Sequence, residues 1–573
     1  MKINLTLLCF YAFICASILS SLASNFYAPE SLDLLNHLAL ISEAKSALVE
    51  GQFPIKDTLG HPSGIRYPVF QFYSPTLYTI SGYINRWIAP ENPYITYKLT
   101  LWLSLMFAGI FMQRLAKLFI ESKPAAILTS VLYLTSTYNL ICINHLCTYS
   151  ETIAYCLLPA LLFYLVCFYH HFGLKNFILA SLLWYALITI HLITFMYTSM
   201  IFGILFLTLL LNHTRDYLTI LKLGLPYITG ILLATWYLAP ISLLSSLLNV
   251  GDTFNSFKQF FPSIFSLLSS NANYIQLSES QAHTTAVLSS SYILPAISFP
   301  IVLGAYISIY LFLNRSLIVN SKSHYWLPAF IIAFLTAFFL TWSPINIWKW
   351  LPQSLQAGQY SWRLLNQTSL FGALLAGYAI CWISKYDLKY SHVLFGTIII
   401  FASVATWLPS TTLESQSLIE FMEKPRMTMN ANTYLIKPSL LNSIKAENQK
   451  TFSLEKSIQH CKFTSGKTSC NLFIPNNISL LELPVHYYPK LLEISLNGKS
   501  VQYDNATHNG YLIVTVAPDA GKNNTITVQF RGLTWANNTS KLVWYAYFTL
   551  CLYTAIRYFL KSFARSNTRI QNI

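Results

Sequence analysis

Charge is what this 573-residue chain has least of. Asp, Glu, Lys and Arg make up 10% of it, against about 25% in an ordinary soluble domain. Acidic residues are the scarcer kind, 21 against 36 basic ones. The signatures of nucleotide chemistry are missing: there is no Walker A pattern and no strand–GxGxxG–helix unit. HExxH and GxSxG are missing too, as are fixed-period repeats and low-complexity tracts. The missing motifs argue against chemistry driven by cytosolic nucleotide; the low charge, together with the apolar runs described next, excludes a soluble enzyme, a disordered chain and a small disulfide scaffold.

Apolar residues fill the space instead. The chain is 54% hydrophobic and 15% aromatic, with a mean hydropathy of +0.47. Runs of about 17 to 25 apolar residues recur, each long enough to span a bilayer. The runs predict about twelve spans, near 3–23, 95–113, 124–142, 152–169, 177–194, 195–211, 223–246, 290–313, 326–342, 364–384, 391–409 and 541–560. The first run, behind Lys2, ends on Ser21-Leu22-Ala23 and fits either a cleaved signal or an uncleaved anchor; its length favours the anchor.

The net charge of +15 would suit a nucleic-acid binder if the basic residues clustered. They are instead scattered singly between apolar runs. With a cytoplasmic N-terminus, the inside loops hold Arg114, Lys117, Lys123, Lys175, Arg215, Lys222, Arg315, Lys322, Lys385 and Lys389, and the tail adds Lys561, Arg565 and Arg569. This positive-inside bias puts both termini in the cytoplasm and the long polar stretches outside.

Three parts follow: a transmembrane part over 1–409 with a large first external loop (24–94), an external domain over 410–540, and a final span with a basic tail over 541–573. In the first loop, Leu34, Leu38, Ile41 and Leu48 form a helical stripe between Ser31 and Glu50, ended by Gly51 and Pro54. A second short helix is expected over Pro75–Ile88. Both are expected to lie on the membrane. The external domain switches to period-two alternation over Ile478–Tyr488, Leu492–Leu496, Tyr511–Val516 and Thr525–Phe530, with an Asn497-Gly498 hairpin signal. This predicts a β-sandwich-like domain. Cys461 and Cys470 flank a short polar turn there, which suggests a disulfide outside the cytoplasm. Cys142 and Cys147 lie near one span end, where a second disulfide is open but not favoured.

Residues with chemical potential are few. Asp33 and His37 share a helical face one turn apart. A carboxylate at the membrane surface can act as a general base on a hydroxyl; Asp33 equally fits a first-turn acid favouring the helix dipole. Glu151 opens a span and carries the same two readings. Arg66 and Tyr67, in Gly64-Ile-Arg-Tyr-Pro-Val-Phe-Gln-Phe-Tyr-Ser-Pro75, combine a cation with aromatics that could hold a phosphate and stack on a sugar or lipid. Arg363, in Gln359-Tyr-Ser-Trp-Arg-Leu-Leu365, offers the same. Each arginine also fits ordinary headgroup anchoring.

Together these motifs resemble bacterial polytopic membrane proteins labelled "6-pyruvoyl-tetrahydropterin synthase-related", allied to YfhO-type proteins and similar to GT-C glycosyltransferases. The resemblance rests on Asp33 and His37, Gly51-Gln-Phe-Pro54, Tyr67-Pro68 with Phe70, Phe72, Tyr73 and Pro75, and Tyr149-Ser-Glu151. It extends to His191, to Leu351-Pro352, to Tyr360-Ser-Trp-Arg-Leu364 with Ser361 in place of a proline, and to Leu483–Pro489 with Asn497-Gly-Lys499. His191 equally fits a satisfied core histidine.

The resemblance implies a mainly α, GT-C-like membrane fold with an extracytoplasmic β-domain. It implies transfer of a sugar from a polyprenyl-phosphate donor to a glycan or lipid acceptor at the bacterial plasma membrane. Asp33, His37 and Glu151 would form the catalytic group, and Arg66, Tyr67, Arg363 and His191 would bind substrate. The resemblance fixes no cofactor; a divalent metal stays open, with Asp33 standing alone without a DxD pair as the argument against metal dependence. A flippase of lipid-linked saccharide and a non-catalytic envelope assembly protein are the alternatives.

Overall fold

The computed structural model describes the chain except residues 1–4, 23–27, 30, 213–216, 250–260, 269–273, 276–291, 294–295, 315–322, 357, 359, 387–390, 408–411, 414–432, 441–450, 465 and 571–573. Most of the apolar runs are helices. In chain order they are α1 (Leu5–Ile18), α2 (Leu32–Val49), α3 (Pro75–Trp87), α4 (Pro93–Ala116), α5 (Lys123–Leu134), α6 (Thr137–Asn144), α7 (Tyr149–His170) and α8 (Leu174–Ile190). Then come α9 (Leu192–Asn212), α10 (Gly224–Leu233), α11 (Thr235–Leu244), α12 (Phe299–Leu313), α13 (Ser323–Trp342), α14 (Leu365–Tyr386), α15 (Ser391–Trp407) and α16 (Thr534–Ile570).

Among the described residues five helices are long and apolar enough to cross a membrane, or up to seven if each of two bent pairs is one span. The protein is therefore an integral membrane protein. The expected runs at 3–23, 177–194 and 290–313 appear as shorter apolar helices of 10–17 residues. Those at 124–142 and 223–246 are broken, by 41° between α5 and α6 and by 75° between α10 and α11.

Prolines inside helices explain some of the cross-links. Pro159 has no N–H to give the Tyr155 carbonyl one turn back. The Tyr133 hydroxyl donates to that carbonyl instead, at 2.7 Å. Pro240 likewise frees the carbonyl of Trp236, and Gln71 from the first loop donates to it at 3.1 Å. Each missing helical bond is replaced by a tertiary one, as buried backbone groups require.

The two loop helices pack on the bundle. Leu34, Leu38, Ile41 and Ala44 of α2 are fully buried. Gly82 of α3 lets the two backbones approach, since a Cβ there would meet Ala44 and Leu48 at about 3.0 Å. The expected stripe is real, but it faces the bundle, because α3 and α4 offer apolar surface next to it.

Helix ends gather into two groups. At one end Lys385 pairs with Glu121 at 3.1 Å, and Trp326 packs on Phe119 and Tyr169. At the other lie the first loop, the start of α7, the α8–α9 junction and the start of α14, joined by hydrogen bonds described below. The β-domain sits on this second end. Its strands are β1 (Thr451–Phe452), β2 (Cys461–Thr464), β3 (Lys467–Ile474), β4 (Leu480–His486), β5 (Leu492–Leu496), β6 (Lys499–Ser500), β7 (Asp504–His508), β8 (Tyr511–Val516) and β9 (Lys522–Phe530).

They form a five-stranded sheet, β6-β5-β9-β3-β2, and a four-stranded one, β7-β8-β4-β1. Leu472, Ile494, Ile526 and Val528 of the first pack in one core with Leu481, Leu483, Leu512 and Val514 of the second. Phe72, Leu244 and Leu248 of the bundle enter the same core, so the domain is docked rather than loosely tethered. Cys461 and Cys470 face each other across β2 and β3 and are joined by a disulfide. Cys142 and Cys147 are free thiols, both buried.

Candidate functional site

Four polypeptide segments converge where the first loop meets the bundle. Helix α2 supplies Asp33 and His37 from its first turns, and α7 opens with Tyr149, Ser150 and Glu151. The 3-10 turn Ser361–Leu364, which leads into α14, supplies Arg363. The chain between Tyr67 and Pro75 runs across these ends.

Glu151 is fully engaged. Its Oε1 accepts from the Tyr138 hydroxyl at 2.7 Å and from Asn366 Nδ2 at 3.0 Å. Its Oε2 lies 3.4 Å from Arg363 Nε. The Glu151 side chain is 3% exposed. A buried carboxylate needs this much pairing to stay charged. With both oxygens occupied, Glu151 is built to aim Arg363 and is poorly placed to take a proton from a substrate.

Asp33 is different. It is half-buried, and among the described residues nothing donates a hydrogen bond to its carboxyl. Burial pushes its pKa up to about 6, with Arg363 near enough to oppose the rise and Glu151 near enough to add to it. An accessible carboxyl that titrates near neutrality fits a general base.

His37 is a strut. Its Nε2 accepts from the Tyr149 backbone N–H at 3.2 Å, and its Nδ1 lies 2.6 Å from the Tyr78 hydroxyl. Burial lowers its pKa to about 3, so the ring is neutral at physiological pH. A neutral ring that accepts at Nε2 carries its proton on Nδ1 and donates to Tyr78. His37 thus ties α2 to the start of α7 and fixes Asp33 relative to Glu151. It has no ring nitrogen left for proton transfer and acts as a positioning residue.

His191 caps α8, its Nδ1 2.7 Å from Thr194 Oγ1, within reach of the charge on Arg363. Next to it, Ser74 donates to the Ile190 carbonyl at 2.6 Å, and Tyr73 meets Ser150 at 2.9 Å. Asp33, His37, Glu151, Arg363 and His191 therefore come together.

Arg66 and Tyr67 do not join them. Arg66 is 3% exposed and is taken up by Asp57 and by Glu50, the latter at 3.2 Å. Its backbone pairs with Val485 of the β-domain. Tyr67 is buried against His61 and His486. Both belong to the seam between loop and β-domain, because Asp57 and Glu50 offer a buried cation more than a lipid phosphate at the surface could.

Tyr138 and Asn366 were not anticipated, and Tyr73 was named only as part of the aromatic stretch of the first loop. Asn366 had a signal: Asn366-Gln367-Thr368-Ser369 are four polar residues in a row inside an apolar helix, all buried. Polar residues at such positions mark function or pairing. Among the described residues no three or more His, Cys, Asp or Glu side chains group to hold a metal ion. Asp33 and Glu151 have Arg363 beside them, which already supplies the positive charge a metal would bring.

No family model matches the chain, and no curated protein does. Two solved structures share a loose likeness. The arabinofuranosyltransferase AftD from Mycobacteria is 11% identical with a TM-score of 0.42, over 91% of this chain and 40% of that one. The Archaeoglobus fulgidus oligosaccharyltransferase in its apo form is 12% identical with a TM-score of 0.43, over 74% of this chain and 56% of that one. This chain thus spans two fifths of the length of the first and a little over half of the second. At these scores the likeness carries no assignment, and the reading of the site rests on its geometry and motifs.

Proposed function

We propose that the protein is a membrane glycosyltransferase that moves a sugar from a polyprenyl-phosphate donor to a glycan or lipid acceptor outside the cytoplasm of a bacterial cell. The observation that carries this reading is the pairing of Asp33, a carboxyl to which no described residue donates a hydrogen bond, with an arginine, Arg363, aimed by Glu151 at the same end of the bundle. The acceptor hydroxyl oxygen attacks the anomeric carbon. The bond from that carbon to the donor phosphate oxygen breaks, and the electron pair leaves with the phosphate. Arg363 stabilises the phosphate charge as it develops. Asp33 takes the acceptor's proton. His37 and Glu151 hold these two groups in place, and the β-domain covers this end of the bundle from outside. No metal enters the scheme.

Turnover of a radiolabelled polyprenyl-phosphate sugar by the full chain in nanodiscs tests it. Wild type should transfer label, and Asp33→Asn should lower the rate by about 10² to 10⁴ while folding normally. Absence of transfer by wild type, with translocation of the lipid in proteoliposomes, would favour a flippase instead.

A further inference from the structure

One residue outside every motif packs against this site, its ring on Tyr73. Tyr434 lies in the short stretch 433–440 that leads towards the β-domain. Three separate parts of the molecule fix its backbone. Its N–H donates to the Tyr67 hydroxyl of the first loop at 3.2 Å. Its carbonyl accepts from the Tyr488 hydroxyl of the β-domain at 2.7 Å. The next residues pair with the segment that follows α11, where Asn249 N–H meets the Leu435 carbonyl and Lys437 N–H meets the Leu247 carbonyl, both at 2.9 Å.

The ring is fixed as well. It stacks on Phe72 at 6.1 Å with planes 12° apart, and on Tyr73 at 6.0 Å with planes 27° apart. Phe72 in turn stacks on Tyr488, and Tyr73 on His37. The stack therefore runs from the β-domain to the helix that carries Asp33.

Such a heavily braced ring would normally bury its hydroxyl in a bond. Among the described residues the Tyr434 hydroxyl has no partner, and the residue is only half-buried. The charge of Arg363 reaches it, as do the phenols of Tyr73 and Tyr237. Burial raises its pKa well above the usual phenol value, so it keeps its proton and is a donor.

We propose that Tyr434 is a substrate-binding residue, its hydroxyl donating a hydrogen bond to the phosphate of the lipid donor beside Arg363. The proposal rests on the glycosyltransferase reading and extends it. It gives the β-domain a role, which is to hold this donor in position. A rigid ring with one polar atom loses little entropy on binding, which suits it to the task.

The test is equilibrium binding of undecaprenyl phosphate to the full chain in nanodiscs, wild type against Tyr434→Phe. Phenylalanine keeps the stack and removes only the hydroxyl. Binding about tenfold weaker, at an unchanged melting temperature, is expected for one lost bond to a charged group. Equal binding by the two proteins overturns the proposal and leaves the transferase reading standing. Loss of binding together with a fall in melting temperature marks the hydroxyl as structural and also overturns it. A wild type that binds no undecaprenyl phosphate ends the transferase reading and this proposal with it.

Discussion

Two arginines stand beside carboxylates in this protein, and they do different work. Arg66 meets Asp57 and Glu50 at the seam with the β-domain, backed by Phe463 at 5.6 Å. Arg363 meets Glu151 at the end of the bundle, over the Tyr360 ring at 5.8 Å. The first guanidinium is neutralised by two carboxylates and sealed from solvent. The second meets Glu151, is 15% exposed, and has a second carboxyl nearby, that of Asp33, to which no described residue donates a hydrogen bond. An arginine neutralised from within is a latch, whereas one held beside such an acid can meet a ligand.

Exchanging the residues should separate the two roles. Removing Arg363 as Arg363→Gln should lower turnover by about 10² or more, the loss typical when a transition-state charge loses its partner. A turnover assay at saturating donor checks it. Arg66→Gln should instead cost about 3–5 kcal/mol of stability, since it leaves Asp57 buried without its cation. Burial already raises the Asp57 pKa, and Arg66 is the largest force opposing that rise. Limited proteolysis should then release the β-domain early, while intact molecules keep their turnover. Equal loss of turnover from both variants would abolish the distinction.

Smaller effects sharpen it on the β-domain side. Reducing Cys461–Cys470, which are nine residues apart, should destabilise the domain by about 2–3 kcal/mol on the chain-entropy account. Thermal unfolding with and without reductant measures this, with no change expected in donor binding at low temperature. Gly498→Ala should cost about 1 kcal/mol. Its φ is +80°, next to Asn497 at +50°, so both turn residues are left-handed. No atom lies near enough to clash with a Cβ there, so the cost is conformational alone.

That hairpin shows what the sequence makes legible. Asn497-Gly498 marks a turn through local chemistry, and β5 ends where the alternation ends. Strand β7 was missed, and β2 and β3 were legible only as a turn between two cysteines, because Lys, Thr, Ser and Asn dilute the apolar alternation: on β3 buried Thr468, Cys470, Leu472 and Ile474 alternate with Lys467, Ser469, Asn471 and an exposed Phe473. The break between α10 and α11 was invisible, since an apolar run reads alike whether straight or bent. Within the site, Asp33 and His37 were legible from helical spacing. Their division of labour was not, because it depends on Tyr78 and Tyr149, remote in sequence. Arg66 and Arg363 looked equivalent for the same reason: the carboxylates that separate them are tertiary neighbours. Tyr434 had no local signal at all.

The pH dependence of transfer tests Asp33 most directly. A base must be unprotonated, so turnover should rise about tenfold per pH unit below about 6 and level off above it. Stability should run the other way. Because the folded pKa is raised above the ordinary 3.8, the folded state holds the Asp33 proton more tightly, and that contribution is lost as pH rises from about 4 through 6. Asp33→Asn should lose the acid limb with its activity and be no less stable than wild type at pH 7. A wild-type profile flat between pH 5 and 8, or an Asp33→Asn protein that keeps both limb and rate, would contradict the assignment of Asp33 as the base.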